Sequence, residues 1–236
     1  MSHILIIDDD IHINEMLEEV LIQEGIRDTA LEGEIKKRRI PVKVLGRKKM
    51  DQLLNGNHQG IAACIDDYKT WELEELLESV PQGKQPLLVM LDGLEDPHNL
   101  GAILRTCDCI RADGVIIGKH RNVRLTPTVA KVSTGAIDTV KVSVVTNLVQ
   151  AIKYLKKQGY WVVGTDFENS RDYREGQYDV PLVLVIGSEG FGISSLVKKN
   201  CDYCVRLPME GSVSSLNASV ATGILLYQIH AQRHPL

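Results

Sequence analysis

The sequence predicts an α/β protein of two domains, the second of them a parallel sheet covered by helices on both faces. Apolar runs typical of buried strands recur at residues 87–91, 115–117, 140–145, 161–164, 182–186 and 205–207, with helical segments between them. This alternation is typical of a parallel sheet, whose strands are buried on both faces. With 236 residues and 44% hydrophobic content, the chain can bury one large core or two small ones.

The first domain is predicted to occupy residues 1–79. A helical stretch follows Arg27, a β-rich run covers 40–45, a short amphipathic helix lies around 50–54 and a strand covers 60–65. Pro and Gly punctuate residues 80–86, so the linker is expected there and the second domain over 87–236.

The charge of the chain is unevenly distributed. The net charge is −4, but residues 1–26 contain seven acidic residues and no Lys or Arg, which leaves +3 on the remainder. Two basic clusters, at 36–39 and 47–49, could contact the phosphates of a nucleic acid. Ordinary solvated surface is the alternative interpretation of such clusters.

A cytoplasmic protein without membrane contact is expected. No apolar run is long enough to cross a bilayer, and the first residues lack the pattern of a signal peptide. The chain has an odd number of cysteines, so a disulfide framework is not expected. They are Cys64, Cys107, Cys109, Cys201 and Cys204. Four of them could be zinc ligands, but no His cluster accompanies them, and buried free thiols without a metal are favoured.

The first motif is the segment 96–101, which follows the strand at 87–91 and continues to Arg105. Asn99 is predicted to cap the next helix, and Asn99 and Arg105 to point out from the carboxyl end of the sheet. Open α/β sheets keep their functional sites at that edge. The residues predicted to face the core are Leu100, Leu104 and Cys107. The alternative interpretation is a capping Asn and a surface Arg.

The second motif follows the strand at 182–186 and contains Gly187, Gly190 and Gly192. These glycines permit a left-handed backbone and close approach of a ligand. Their spacing differs from the dinucleotide-binding fingerprint. Glu189, between two glycines at the end of a strand, is a candidate functional carboxylate, and a turn cap is the alternative.

The third motif, at 208–219, leads from the strand at 203–207 into the last helix. Ser215, Asn217 and Ser219 cluster at the start of that helix, where free N–H groups and the positive end of the helix dipole can bind a ligand. Capping alone would explain one Ser or Asn here. The residues predicted to share one face of the helix are Val220, Ile224 and Tyr227.

These three motifs, in this order, resemble the SpoU (TrmH-like) family of RNA ribose 2′-O-methyltransferases over roughly residues 27–236. The form is most similar to the bacterial enzymes that methylate a guanosine of 23S ribosomal RNA. The resemblance implies a SPOUT domain with a deep trefoil knot, a homodimer, an RNA partner and no DNA partner. Its alternatives are a transfer-RNA ribose methyltransferase and a catalytically impaired RNA-binding chimera.

The resemblance also implies the site and its cofactor, S-adenosyl-L-methionine. The catalytic set consists of Asn99, Arg105, Glu189, Ser215 and Asn217. The adenine would be held mainly by backbone groups of Gly187, Leu207 and Leu216, with Thr165 as a further candidate. Because a guanidinium stays protonated, Arg105 is expected to position the ribose and stabilise its alkoxide rather than to accept a proton.

The first domain resembles the small L30e-like RNA-binding domain that precedes the knot in this family, on the basis of 57–60, Asn-His-Gln-Gly. Residues 1–26 depart from that pattern, because 4–10 and 15–21 resemble the first strand and helix of a response-regulator receiver. No phospho-acceptor Asp follows in context, so phosphorelay is not expected. We expect an atypical, chimeric first domain, in which 4–7 form a strand, Met16, Val20 and Leu21 pack beneath it, and the carboxylates at 8–10 are solvated.

Overall fold

The computed structural model of the chain describes residues 3–6, 17–54, 59–65 and 67–235. It divides into two compact units, Met1–Tyr68 and Lys69–Leu236. This boundary precedes the linker expected at 80–86, because Trp71, Leu73 and Leu76 pack into the hydrophobic core of the second unit. The helix that contains Leu73 and Leu76 therefore belongs to the second unit.

The first unit is a four-stranded sheet with two helices. Its elements are β1 (His3–Ile6), β2 (Leu17–Gln23), α1 (Thr29–Arg38), β3 (Val42–Leu45), α2 (Arg47–Leu53) and β4 (Ile61–Ile65). The strand order is β1-β4-β2-β3, with β1 and β2 antiparallel to β4 and β3 parallel to β2. The small α/β domain predicted at the start of the chain is thus present, and β1 supplies the strand expected near 4–7.

The helix predicted over 15–21 is wrong for the described residues, because β2 is a strand. Val20 packs with Leu31 and Ile35, whereas Leu21 packs with Met50 in a separate cluster. A strand covered on both faces carries adjacent apolar residues and shows no alternation. Three features named above lie outside the described residues, namely the acidic run at 8–10, Met16 and His58.

The second unit is an α/β domain built on one parallel sheet. It contains α3 (Leu73–Glu78), β5 (Leu87–Asp92), α4 (Pro97–Cys109), β6 (Gly114–Gly118), α5 (Pro127–Ser133), α6 (Ala136–Thr139), β7 (Val142–Val145), α7 (Leu148–Lys157), β8 (Trp161–Thr165), β9 (Arg171–Asp172), a 3₁₀ turn (Tyr173–Glu175), β10 (Leu182–Gly187), α8 (Ser195–Asn200), β11 (Tyr203–Arg206) and α9 (Ala218–Arg233). The order is β7-β6-β5-β10-β8-β11-β9, and every pairing is parallel. The predicted parallel sheet is confirmed.

The position of β10 in the sheet brings the motifs together. β10 lies between β5 and β8, and its last residue, Gly187, pairs with Asp92 at the end of β5. The first and second motifs follow these two strands, so they meet at one edge of the sheet. The third motif leads into helix α9, and α9 packs against α4 and β10. The third motif therefore lies near the first two. The threading of the chain through a knot stays a prediction of the resemblance.

The five cysteines are free thiols. Cys107 is buried in α4, and burial raises the pKa of its thiol to about 12. The sulfurs of Cys201 and Cys204 lie together beside Gly164. Within the described residues, no three His, Cys, Asp or Glu side chains converge in a way that could hold a metal ion.

No helix in the described part of the chain is long and apolar enough to span a membrane.

Candidate active site

The first motif forms the opening turn of α4. The Asp96 carboxylate caps the helix by accepting a hydrogen bond of 2.9 Å from the His98 N–H, and Pro97 takes the first helical position, where its missing N–H costs nothing. Asn99 is therefore not the cap that the sequence predicted, but a residue within the first turn. The prediction for the core is confirmed, since Leu100, Leu104 and Cys107 are buried.

Side chains from all three motifs meet at Glu189. The amide nitrogen of Asn99, a residue only 4% exposed, donates a 2.6 Å hydrogen bond to Glu189 Oε1. The amide nitrogen of Asn217 donates to the same oxygen at 2.9 Å and to Asn99 Oδ1 at 2.8 Å. The Ala218 N–H approaches Glu189 Oε1 at 3.2 Å. We call Asn99, Glu189 and Asn217 the polar triad.

Asn217 belongs to the triad and also caps α9. Its Oδ1 accepts hydrogen bonds from the backbone N–H groups of Ser219 and Val220 and from the Ser219 hydroxyl. Its amide nitrogen remains for the triad. Asp could cap the helix but could not donate, whereas an amide side chain does both. The start of α9 is thus locked to Glu189 and Asn99.

The glycines of the second motif have different structural roles. A Cβ atom on Gly187 would lie 2.0 Å from the carbonyl carbon of Gly192, and Gly192 has φ +64°. Ser188 and Gly192 exchange two backbone hydrogen bonds, which fold the loop back on β10. Gly190 has open space around its Cβ position and a φ outside the left-handed region. The close approach at Gly187 is therefore made by its own loop, whereas the sequence predicted a ligand there.

Asp92 holds the far end of this loop, a role that the sequence analysis missed. Its carboxylate accepts a 2.7 Å hydrogen bond from the Ser194 N–H, which follows the glycine loop. An acidic residue at the end of a buried strand is the only sequence signal for it. The loop at 187–194 is thus fixed to β5 as well as to itself.

A cavity of about 500 Å³ opens beside the polar triad, at the carboxyl ends of β8, β10 and β11. The residues predicted to bind the cofactor all line it, namely Thr165, Gly187, Leu207 and Leu216, and so do Glu189 and Ser215. Its size lies within the range of about 300–1,000 Å³ typical of small-molecule sites. The four predictions from separate segments therefore describe one place.

The walls of the cavity combine apolar and charged groups. Phe167 and Phe191, which are the only phenylalanines of the chain, both line it, and their exposed fractions are 54% and 96%. Phenylalanine is usually buried, and no sequence pattern indicated this placement. Thr165 also lines it, and its hydroxyl donates to the Val185 carbonyl.

Asp166, which also lines the cavity, is an anionic group paired with Lys198. Burial raises its pKa, but hydrogen bonds from the Lys198 ammonium and from backbone N–H groups outweigh burial and lower the pKa below its ordinary value. Glu189 lines the cavity too, so carboxylates lie there beside aromatic and aliphatic side chains, together with the cation of Arg206. This combination fits a cationic molecule that carries an aromatic ring.

Arg105 stands apart from the triad. It is exposed, and it has no hydrogen-bond or ion-pair partner in the described part of the chain. Arg105 lies six positions after Asn99 on α4, which places the two about 120° apart around the helix. The structure thus brings Asn99, Glu189 and Asn217 together but leaves Arg105 on another face.

Two family models match the chain. The model of the SpoU rRNA Methylase family matches residues 86–227, and the model of the RNA 2′-O ribose methyltransferase substrate-binding domain matches residues 11–71. The second match begins before Arg27. Residues 11–26, which the sequence analysis set apart as receiver-like, therefore belong to the substrate-binding domain.

Individual proteins agree with these models. A protein of Staphylococcus haemolyticus named as a TrmH family tRNA/rRNA methyltransferase is 48% identical over 223 residues, covering 92% of this chain and 89% of the relative. The similarly named YacO of Bacillus subtilis is 48% identical over 202 residues, covering 85% and 81%. The crystal structure of the SpoU methyltransferase AviRb from Streptomyces viridochromogenes, in complex with AdoMet, matches with a TM-score of 0.75 and 25% identity, covering 92% and 83%.

These matches extend over both units and include the three motifs that form the polar triad and the cavity. The cavity fits S-adenosyl-L-methionine, which has a cationic sulfonium and an adenine ring. The chain belongs to the SpoU (TrmH) family and is an RNA methyltransferase with S-adenosyl-L-methionine as its cofactor.

Proposed function

We propose that this enzyme methylates the 2′-hydroxyl of a guanosine ribose in 23S ribosomal RNA. The observation that carries the proposal is the convergence of Asn99, Glu189 and Asn217 beside the cofactor cavity. The motifs most resemble the ribosomal guanosine enzymes, and the model that matches the first unit describes ribose 2′-O methylation. Such an enzyme would act in the maturation of ribosomal RNA in the cytoplasm.

The reaction transfers a methyl group to the ribose oxygen as that oxygen loses its proton. S-adenosyl-L-methionine, when bound, supplies the methyl group on a cationic sulfonium. The chain must hold the ribose oxygen in line with that methyl group, because the rate depends on near-attack geometry. Asn99 and Asn217 are the groups we assign to this positioning.

Glu189 is assigned the role of fixing both amides. Its Oε1 accepts from Asn99, Asn217 and the Ala218 N–H, and a side chain held by three donors has little freedom to move. Its Oε2 is assigned to the bound substrate. Ser215, on the cavity wall, is a further candidate for substrate contact.

Arg105 is assigned to the site of a second copy of the chain. Its cation has no partner within the described residues and lies on a different face of α4 from Asn99, so we do not expect it to reach the triad of its own chain. Helix α9, which packs against α4, exposes an apolar stripe made of Val220, Ile224 and Tyr227. We propose that this stripe forms a homodimer, in which Arg105 stabilises charge on the ribose held by the partner's triad.

The first unit is proposed to hold the RNA away from the reacting ribose. Its two basic clusters, at 36–39 and 47–49, are exposed, as contacts with phosphates require. The alternative substrate is a transfer RNA, because the relatives are named for both RNA classes. A catalytically impaired chimera is disfavoured, because the triad is intact.

Methyl transfer to both RNA classes in parallel tests this proposal. Labelled S-adenosyl-L-methionine would be supplied with purified 23S ribosomal RNA and, separately, with total transfer RNA, and nuclease mapping would locate the label. We expect label at one guanosine of the ribosomal RNA, and none with an Asn99→Ala variant. Label in transfer RNA alone would replace the ribosomal substrate by the alternative.

A further inference from the structure

The segment that follows β6 is strongly basic. Lys119, His120, Arg121 and Arg124 lie within six residues, and all four are exposed. No acidic residue occurs between Asp113 and Asp138 in the sequence, although the chain as a whole has a net charge of −4. We call residues 119–124 the basic loop.

The charged side chains of the basic loop have no partners within the described residues. Several other cations of the same unit are paired, as in Lys84 with Asp113, Lys156 with Asp202 and Arg174 with Asp172, and the unpaired Arg105, Lys153 and Lys157 do not form a cluster of this density. Three cations within six residues repel one another. Interactions that stabilise the folded chain therefore do not explain why these cations lie together.

The backbone of the basic loop is held at both of its ends. The Lys119 N–H donates to the Val145 carbonyl at 2.8 Å, and the Val123 N–H donates to the Leu94 carbonyl at 2.7 Å. The Leu94 N–H in turn donates to Asn122 Oδ1 at 2.8 Å. Arg121 adopts a left-handed φ of +57°, which costs a non-glycine residue about 1 kcal/mol. The loop is therefore a built feature that displays its cations.

The location of the basic loop relates it to the active site. Strand β6 pairs with β5, and β5 pairs with β10, so the ends of β6 and β10 lie about 10 Å apart, two strand spacings along the edge of the sheet. Leu94, which the loop holds, lies in the segment between β5 and α4, five residues before Asn99. The loop thus borders the triad on the side away from the cofactor cavity.

We propose that the basic loop binds the phosphate backbone of the substrate RNA next to the target nucleotide. RNA is the polyanion that this family acts on, and Arg side chains bind phosphate in a bidentate manner. The surface is additional to the substrate-binding domain, whose model covers residues 11–71. This inference rests on the proposed function for its ligand, but not on the choice between ribosomal and transfer RNA.

The test compares two double variants that each remove two positive charges. Arg121→Ala with Arg124→Ala alters the basic loop, and Lys153→Ala with Lys157→Ala is the matched control. The control lysines are exposed on α7, toward the opposite edge of the sheet, and have no partner in the described residues. The affinity of each full-length protein for 23S ribosomal RNA and for transfer RNA would be measured over a range of salt concentrations.

For the loop variant we expect the affinity for the substrate RNA to fall about tenfold. The slope of log K against log salt should decrease by about 1.4, because each lost phosphate contact contributes about 0.7 with single strands. KM for RNA should rise, whereas kcat at saturating RNA and the affinity for S-adenosyl-L-methionine by calorimetry should stay as in the parent. The control should match the parent in every measurement.

Three results would overturn the inference. One is a loop variant with the parental salt slope and KM. Another is conversion of a dimeric parent to a monomer by the loop substitutions in sedimentation, because the loop would then contact a second copy. A third is a parent that binds neither RNA, in which case the proposed function fails too. If the parent methylates only transfer RNA, the proposed ribosomal substrate is wrong. The loop variant is then compared with the parent for its affinity and KM with transfer RNA.

Discussion

Glu189 accepts a 2.6 Å hydrogen bond from the side chain of Asn99, a residue ninety positions earlier in the chain. The contact exists because β10 lies directly beside β5, so that the loops after the two strands share one edge of the sheet. Asn217 completes the contact from a third segment. The site is thus a product of the strand order.

Replacement of Glu189 should separate its contribution to stability from its contribution to catalysis. Glu189→Ala leaves the buried amide of Asn99 without its acceptor, which should lower the free energy of unfolding by about 1–3 kcal/mol. Glu189→Gln keeps an acceptor oxygen and should retain most of the stability. Urea denaturation and single-turnover methylation check both variants. We expect Glu189→Ala to lower the single-turnover rate far more than Glu189→Gln does.

One result for Glu189→Gln would contradict this role. If Gln lowered the single-turnover rate as much as Ala while the protein stayed stable, the charge of the carboxylate would be essential. The role of Glu189 as a fixed acceptor for two amides would then be wrong.

Gly187 and Gly190 form a matched pair within one loop. Gly187→Ala places a Cβ 2.0 Å from backbone of the same loop, so it should disrupt the turn, lower the melting temperature and abolish cofactor binding in calorimetry. Gly190→Ala meets no protein atom, so the loop should keep its fold and the melting temperature should match that of the parent. Normal binding by Gly187→Ala would contradict the structure of the loop.

The assignment of Arg105 to the partner's site can be tested by mixing inactive chains. Arg105→Ala should lower the single-turnover rate by about a hundredfold, and Asn99→Ala should also be inactive. If Arg105 acts across a twofold dimer, an equal mixture after subunit exchange should recover about a quarter of the parental activity, because half of the dimers then contain one intact site. No recovery, with exchange verified by sedimentation of tagged chains, would place Arg105 in its own chain's site.

The buried thiol of Cys107 predicts a loss of stability at high pH. Burial raises its pKa from 9.0 to about 12, so the folded state retains a proton that the unfolded state loses. This contribution is complete below about pH 9 and declines as the pH rises towards 12, at about 1.4 kcal/mol per pH unit. Cys107→Ala should flatten the pH dependence of unfolding. Cys109 is exposed on the same helix, so Cys109→Ala should leave the pH dependence of unfolding unchanged.

The sheet and the cofactor cavity could be predicted because their signals are local. The apolar runs of β5, β6 and β10 indicate strands buried on both faces. Loops after parallel strands converge at one edge, which is why Thr165, Gly187 and Leu207 line one cavity. Motif resemblance added the identity of the ligand.

Other features depend on tertiary contacts that no local pattern encodes. The run 17–23 has apolar residues at helical spacing, but α1 and α2 cover its two faces and make it a strand. The direction of Arg105 depends on the start of α4 at Pro97, with Asp96 as the cap. The basic loop does not form an uninterrupted basic run, because His120, Asn122 and Val123 separate its cations, and only the structure shows that all of them are exposed.

The most direct test of the central claim is the alkaline hydrolysis of RNA methylated with labelled cofactor. Alkali cleaves RNA through the ribose 2′-oxygen, so a methylated ribose protects the bond on its 3′ side. We predict that the label appears in an alkali-resistant dinucleotide that begins with guanosine, with 23S ribosomal RNA as the substrate. Label in single nucleotides would mean that a base is methylated, and it would contradict the assignment of the triad to a ribose hydroxyl.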